Sequence, residues 1–271
     1  MPKRVQSPSS INCFKQCPRK YFYQYILKYP TKENIHCIRG NIVHEALEKF
    51  FEIKIDTISE ENYKKELSFY MKNLFDACWA SGGTRLQKLG LGDDKLSFYY
   101  AESTQMLANW LNQTFEKLEK KKAMHNITFQ EAFKKISPTD MEIHYKDPEL
   151  SVRGFIDAVH KEGDTVTLMD YKTSKSDDMK PEYMLQLGIY AVLYEKKHGT
   201  YPNKAGIWFL KHKDKVIDVT PQMIKNAEFE IEQIHFATES ASIGDYRKKK
   251  SGLCKYSTGQ CDFYDICQKN P

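Results

Sequence analysis

The hydrophobic period changes twice in the second half of the chain, and this limits the possible architectures more than any single motif. Residues 139–146 (TDMEIHYK), 150–160 (LSVRGFIDAVH) and 164–172 (DTVTLMDYK) alternate or run apolar. Turn residues separate them at Asp147-Pro148 and at Glu162-Gly163-Asp164. That pattern predicts three strands in a β-meander. Residues 180–198 return to helical spacing, with Met184, Leu187, Tyr190, Ala191 and Tyr194 on one side. Two further strands are expected at 204–211 and 214–220, then a long helix at 221–243. Strands interleaved with helices give an α/β or α+β core.

The first half reads as helices. Residues 8–28 form an amphipathic segment that Ser9 or Ser10 can cap; Pro18 restarts it and Pro30 ends it. Residues 39–53, 59–80 and 94–122 carry further helical stripes, the last two joined through Ser81-Gly82-Gly83 and Leu89-Gly90-Leu91-Gly92. The expected organisation is N-terminal helices (1–55), a helical insertion (56–135), the α/β core (136–243) and a cysteine-rich tail (244–271). Hydrophobic residues at 41% and charged residues at 28% exclude wholesale disorder. No apolar run reaches the roughly 18 residues a membrane helix needs, and no apolar stretch follows the charged start, MPKRVQSPSS. The expected location is cytoplasmic, or nuclear in a eukaryote. The net charge, 41 − 36 = +5, suits a polyanion partner without requiring one.

Candidate chemistry sits where the strands end. Asp157 lies on the second strand and Asp170 near the end of the third, so antiparallel pairing brings the two carboxylates together. Two close carboxylates repel unless a cation lies between them, and a divalent metal is the natural partner. Lys172, two residues beyond Asp170, shares its strand face. Alone, such residues are turn formers or surface ion pairs. Here Leu168 and Met169 lead into Asp170, so the charges emerge from an apolar strand. His44 sits on a helix among apolar neighbours, and Gln186 and Tyr190 are four apart on the helix after the meander.

The set Gly40-x-x-x-His44, Gly154-x-x-Asp157, Asp170-x-Lys172-Thr173-Ser174 and Gln186-x-x-x-Tyr190 resembles the RecB-like branch of the PD-(D/E)XK nuclease superfamily. The resemblance covers residues 39–53 and 150–194 and implies an α/β, restriction-endonuclease-like fold. Its mixed β-sheet would be flanked by helices, with a helical insertion and a cysteine-rich clasp. It further implies a Mg²⁺ or Mn²⁺ site with His44, Asp157, Asp170 and the Tyr171 carbonyl as ligands. Lys172 would be catalytic, with Gln186 and Tyr190 positioning a DNA phosphate or supporting the metal site.

Seven cysteines in an expected reducing compartment are unlikely structural disulfides, and three of them cluster as Cys254-x₆-Cys261-x₅-Cys267. Zinc sites favour closer pairs, whereas an iron–sulfur cluster needs four thiolates with longer reach. The opening Ser7-Pro8-Ser9-Ser10-Ile11, followed by Phe14 and by Cys17-Pro18-Arg19-Lys20, resembles the start of the iron–sulfur RecB-like nucleases. These include the AddB nuclease domain and CRISPR-adaptation nucleases. The resemblance implies a [4Fe–4S] cluster on Cys17, Cys254, Cys261 and Cys267, although the family's tail usually reads C-x₂-C-x₅-C. Cys13 is the rival fourth ligand; Cys37 and Cys78 read as ordinary thiols.

The expected activity is metal-dependent DNA hydrolysis, as an exonuclease on single-stranded ends in repair or recombination, with some endonuclease activity allowed. Arg19, Lys20, Arg247, Lys248, Lys249 and Lys250 are the candidate DNA-binding residues. Among Tyr21, Phe22, Tyr23, Tyr25 and Tyr29, some must be core and others are placed to stack unpaired bases. No G-x-x-x-x-G-K-[ST] motif occurs, so any unwinding would fall to a separate helicase. The alternatives are a CRISPR-adaptation nuclease trimming spacer precursors and, in a different class, a non-catalytic DNA-binding or zinc-binding interaction module.

Overall fold

The computed structural model describes residues 3–256 and 259–269. The sheet follows the period of the sequence. β1 (Asp140–Asp147), β2 (Val152–Glu162), β3 (Thr165–Lys172), β4 (Lys204–Phe209) and β5 (Asp214–Asp218) lie side by side in chain order. All neighbours are antiparallel except β3 and β4, which are parallel. A parallel pair needs a crossover, and α8 (Pro181–His198) supplies it. The result is the expected mixed sheet.

Two hydrophobic cores cover the two faces. On one, α8, α9 (Pro221–Ala237) and Ile11 of α1 (Pro8–Gln16) pack on Ile156, Val159, Leu168 and Ile207. On the other, α3 (Ile35–Phe50), α4 (Tyr63–Ser81), α6 (Asp93–His125) and α7 (Phe129–Ile136) pack on Ala158, Met169, Tyr171 and Trp208. Residues 56–135 thus form the cover of one sheet face and share its core. α7 is absent from the sequence reading. Its apolar residues, Phe129, Ala132, Phe133 and Ile136, recur at helical spacing, and a Thr128–Glu131 capping box defines its start. Gly83–Gln87 forms the short α5.

At the N-terminus, Ser7 caps α1, exchanging hydrogen bonds with Ser10 of 2.8 and 3.2 Å. α1 stops because Pro18 forces the preceding Cys17 into an extended conformation (φ −159°, ψ 106°). Pro18 then opens α2 (Pro18–Tyr21), which widens into a π turn over Phe22–Ile26. The tail folds back on this segment through a hairpin of β6 (Lys255–Tyr256) and β7 (Gly259–Gln260), followed by α10 (Tyr264–Lys269). Tyr21, Phe22, Tyr23, Tyr246 and Phe263 form a third, small aromatic core, with Cys261 and Cys267 at its edge. Tyr21, Phe22 and Tyr23 are therefore interior rings rather than base-stacking surfaces; Tyr29 remains exposed. Among the described residues, no helix is long and apolar enough to cross a membrane.

Candidate active site

The site forms where β1 and β2 change faces. Met141 and Ala158, a cross-strand pair, pack into the α3–α6 core, while Ile143 and Ile156, the pair two residues on, pack into the α8 core. Regular alternation would put both pairs on one face. The switch falls at Glu142, which adopts φ 48°, a left-handed conformation that a glutamate rarely takes. Glu142 and Asp157 stand at this level, between the two pairs. Strain of this kind persists only where its surroundings enforce it, and functional sites are where it concentrates.

α3 brings the third group. Its stripe of Ile42, Val43, Ala46, Leu47 and Phe50 is buried, and Arg39 is tied to Glu102 of α6, so the helix is fixed and His44 projects beside the sheet. His44 Nδ1 lies 3.4 Å from Asp157 Oδ2 and 3.9 Å from Glu142 Oε1. One donor atom from each of His44, Glu142 and Asp157 falls within 4.8 Å of the others, a grouping suited to a metal ion. Asp157 is fixed from the other side by the Tyr171 backbone N–H, which donates to Oδ2 at 2.6 Å.

A second network abuts this group. Asp170 is only 2% exposed. Its Oδ1 accepts from Gln186 Nε2 at 2.9 Å, and its Oδ2 lies 2.6 Å from Lys172 Nζ. Lys172 donates to Gln186 Oε1 at 3.0 Å, and Gln186 Nε2 also donates to Tyr190 OH at 2.7 Å. The amide of Gln186 thus fixes the acid, the lysine and the tyrosine at once. Gly154 makes room for this arrangement: a Cβ there would come within 2.9 Å of Tyr190 Cε1.

Burial and mutual charge set the protonation of these groups. Burial raises Glu142 to about 7, with the charge of Asp157 adding to the effect. Burial also raises Asp170, and Lys172 offsets this only in part. For Asp157, burial is outweighed by His44 and the Tyr171 N–H, and its carboxyl is held below the ordinary range. Burial disfavours the charged forms of His44 and Lys172, yet Asp157 raises the first and Asp170 the second. The donor set fits a divalent cation. Three carboxylates crowd a partly buried site, and Asp170 Oδ2 accepts no hydrogen bond although its lysine ion pair is close.

Of the residues expected at the metal site from sequence, His44 and Asp157 are grouped, Asp170 is engaged instead by Lys172 and Gln186, and Tyr171 reaches Asp157 through its backbone N–H. Glu142 is the residue sequence reasoning missed. Its signal is the register: pairing the two strands back from the Asp147-Pro148 turn sets 142 opposite 157.

Three of the cysteines converge where the tail folds back on α1 and α2. Cys17, Cys254 and Cys261 line one cavity of about 270 Å³ with Lys20 and Lys249. The Cys261 N–H donates to the Cys254 carbonyl at 3.0 Å. Burial raises the Cys261 and Cys267 thiols; Cys17 acts on both, and Cys254 on Cys267. Cys13 packs with the aromatic core, its thiol raised by burial to about 11, with Cys17 and Cys261 adding to the effect, and its Sγ faces Gln24 Oε1 at 3.7 Å. Among the described residues, no cysteine belongs to a group of three or more metal-binding side chains with donor atoms within 4.8 Å. Of the basic residues expected at DNA, Arg247, Lys249 and Lys250 are exposed, and Lys20 and Lys248 half-buried. Arg19 is a correction. It is 6% exposed and its guanidinium Nε donates to the Tyr246 carbonyl at 2.7 Å, because the returning tail covers it.

The comparison with curated proteins returns no match. A crystal structure of a candidate exonuclease from Eubacterium rectale resembles the chain with a TM-score of 0.52 at 12% identity, covering 100% of this chain and 89% of the other. At that identity the likeness concerns the fold. The family model for the PD-(D/E)XK nuclease superfamily matches residues 6–268. The chain therefore belongs to the PD-(D/E)XK nuclease superfamily, a metal-dependent class of phosphodiester hydrolases acting on DNA.

Proposed function

We propose that this protein is an exonuclease that degrades DNA from single-stranded ends in repair or recombination, using Mg²⁺ or Mn²⁺ held by His44, Glu142, Asp157 and Asp170. The observation that carries this reading is the junction of two networks at one strand end. The His44–Glu142–Asp157 group stands beside the buried Asp170–Lys172–Gln186 system. When bound, the divalent ion supplies Lewis-acid polarisation of the scissile phosphate and acidification of the attacking water. The remaining work belongs to the side chains. Lys172 has three N–H donors; Gln186 takes one and Asp170 faces the ammonium. A further donor is left to hold a non-bridging phosphate oxygen as negative charge builds on it. Gln186, braced by Tyr190, keeps that lysine from swinging into solvent. His44 is oriented by Asp157 so that one ring nitrogen faces the carboxylates.

We further propose that Cys17, Cys254, Cys261 and Cys267 hold a [4Fe–4S] cluster whose role is structural. The placement of Cys17, Cys254 and Cys261 around one cavity supports this, with Cys261 and Cys267 at the edge of the adjoining aromatic core. The cluster would fasten the tail to the first helices.

Digestion of end-labelled single- and double-stranded DNA, with Mn²⁺, Mg²⁺ or EDTA, tests the activity. The expected result is metal-dependent release of short products from the single strand, faster than from a blunt duplex. Equal cutting of circular and linear single strands would overturn the exonuclease reading.

A further inference from the structure

Beyond the face switch, β1 and β2 continue for several residues with only one side covered. Tyr145, Val152 and Ile156 pack under α8. The other side carries His144, Lys146, Arg153 and Phe155, all exposed. The register pairs them across the strands, His144 with Phe155 and Lys146 with Arg153. The rings of His144 and Phe155 stack at 4.6 Å between centroids, inclined by 22°. Phe155 nevertheless remains 53% exposed. Neither Lys146 nor Arg153 enters an ion pair among the described residues. The nearby carboxylate of Asp147 is committed to the turn, where it accepts from the Leu150 N–H at 2.6 Å.

These pairs form a series with the candidate metal site. The first level is Glu142 and Asp157, the second His144 and Phe155, the third Lys146 and Arg153. The second and third levels, on regular strand, are about 7 Å apart at 3.3–3.4 Å of rise per residue. That step is close to the distance between phosphates in a stretched single strand.

We propose that this open face of β1 and β2 is a track for unpaired DNA leading into the active site. Phe155, backed by His144, stacks a base beside the scissile phosphate, and Lys146 and Arg153 hold a phosphate further along. The inference rests on the nuclease reading of the site and adds to it the surface that selects the strand. An exposed phenyl ring on a flat sheet engages a base face only when that base is free of its partner, so the track favours single strands. The two unpaired cations supply the charge complementarity that the acidic metal site cannot.

The test separates track from chemistry. Binding of a fluorescein-labelled oligodeoxythymidine is followed by anisotropy, with Ca²⁺ present and Mg²⁺ and Mn²⁺ absent. Hydrolysis of bis(p-nitrophenyl) phosphate, which has no neighbouring nucleotides, is followed with Mn²⁺. Phe155→Ala is expected to weaken oligonucleotide binding roughly tenfold and to leave diester hydrolysis and the melting temperature unchanged. Phe155→Trp should restore binding. The Lys146→Glu, Arg153→Glu pair should weaken binding further and flatten its salt dependence. Wild-type affinity in Phe155→Ala, or equal losses on duplex and single strand, would overturn the track. A wild-type protein that binds the oligonucleotide through Phe155 but hydrolyses neither diester nor DNA would overturn the nuclease reading and leave the track standing.

Discussion

The catalytic end of the sheet and the cysteine clasp are held together by opposite means. Around Asp170 every polar group is fixed by strands and a helix that are buried for other reasons, and the Gln186 amide alone makes three connections. The clasp has two-residue strands, one short helix and a handful of rings around Tyr246 and Phe263. The site is positioned by a core that exists without it. The tail has too little apolar surface of its own to do the same, and Cys17, Cys254 and Cys261 line a cavity beside it. Substitutions at the two ends should therefore separate activity from stability.

The largest effect is expected at the site. Asp157→Ala and Lys172→Ala should each lower kcat by at least about a thousandfold, from several kcal/mol of lost charge stabilisation at 1.36 kcal/mol per decade. Melting temperature should stay within a few degrees. A variant that retains near wild-type kcat would show that the chemistry lies elsewhere.

Next comes the clasp. Cys17→Ser should abolish iron content and the broad absorbance near 400 nm of a protein-bound iron–sulfur cluster, and lower the melting temperature by roughly 10 °C, at about 2–4 °C per kcal/mol. Cys13→Ser should keep both iron and colour. If Cys17→Ser instead removes activity from a protein of unchanged stability, the contrast between the two ends fails.

The seam between sheet and α8 gives a smaller, mixed effect. Gly154→Ala places a methyl group within 2.9 Å of Tyr190 and 3.3 Å of Leu193, a packing conflict of about 1–3 kcal/mol. Because Tyr190 braces Gln186, activity should fall along with stability. A stability loss with unaltered kcat would show that Tyr190 is packing alone.

The smallest effect on activity is expected from His160, which acts only through the pH dependence of stability. Burial, helped by Lys117, lowers His160 from 6.5 to about 4. The unfolded chain therefore takes up a proton that the folded one refuses. This stability is fully present above pH 6.5 and is lost as pH falls towards 4. The loss should be on the order of 3 kcal/mol, read from urea midpoints at the two ends of this range. His160→Gln should flatten that part of the profile.

Sequence legibility followed the range of the interactions. The five strands and α8 show in local periodicity, and the Asp170-x-Lys172 and Gln186-x-x-x-Tyr190 spacings place their residues on shared faces without tertiary information. Glu142 was hidden because its role depends on cross-strand register and on a φ of 48° that breaks the alternation used to read strands. Arg19 was misplaced for a related reason. Beside Lys20 it reads as surface, and only the return of Tyr246 from more than two hundred residues away buries it. The same long-range closure turned Tyr21, Phe22 and Tyr23 into core.

The most direct test of the central claim is Mn²⁺ binding, followed by electron paramagnetic resonance in wild type, Glu142→Gln and Asp157→Asn. The account predicts a bound ion in wild type, its loss in Asp157→Asn and an affinity about 10- to 100-fold weaker in Glu142→Gln, with all three proteins folded. Equal Mn²⁺ binding by the three would contradict it, because the cation would then sit away from the level where β1 and β2 change faces.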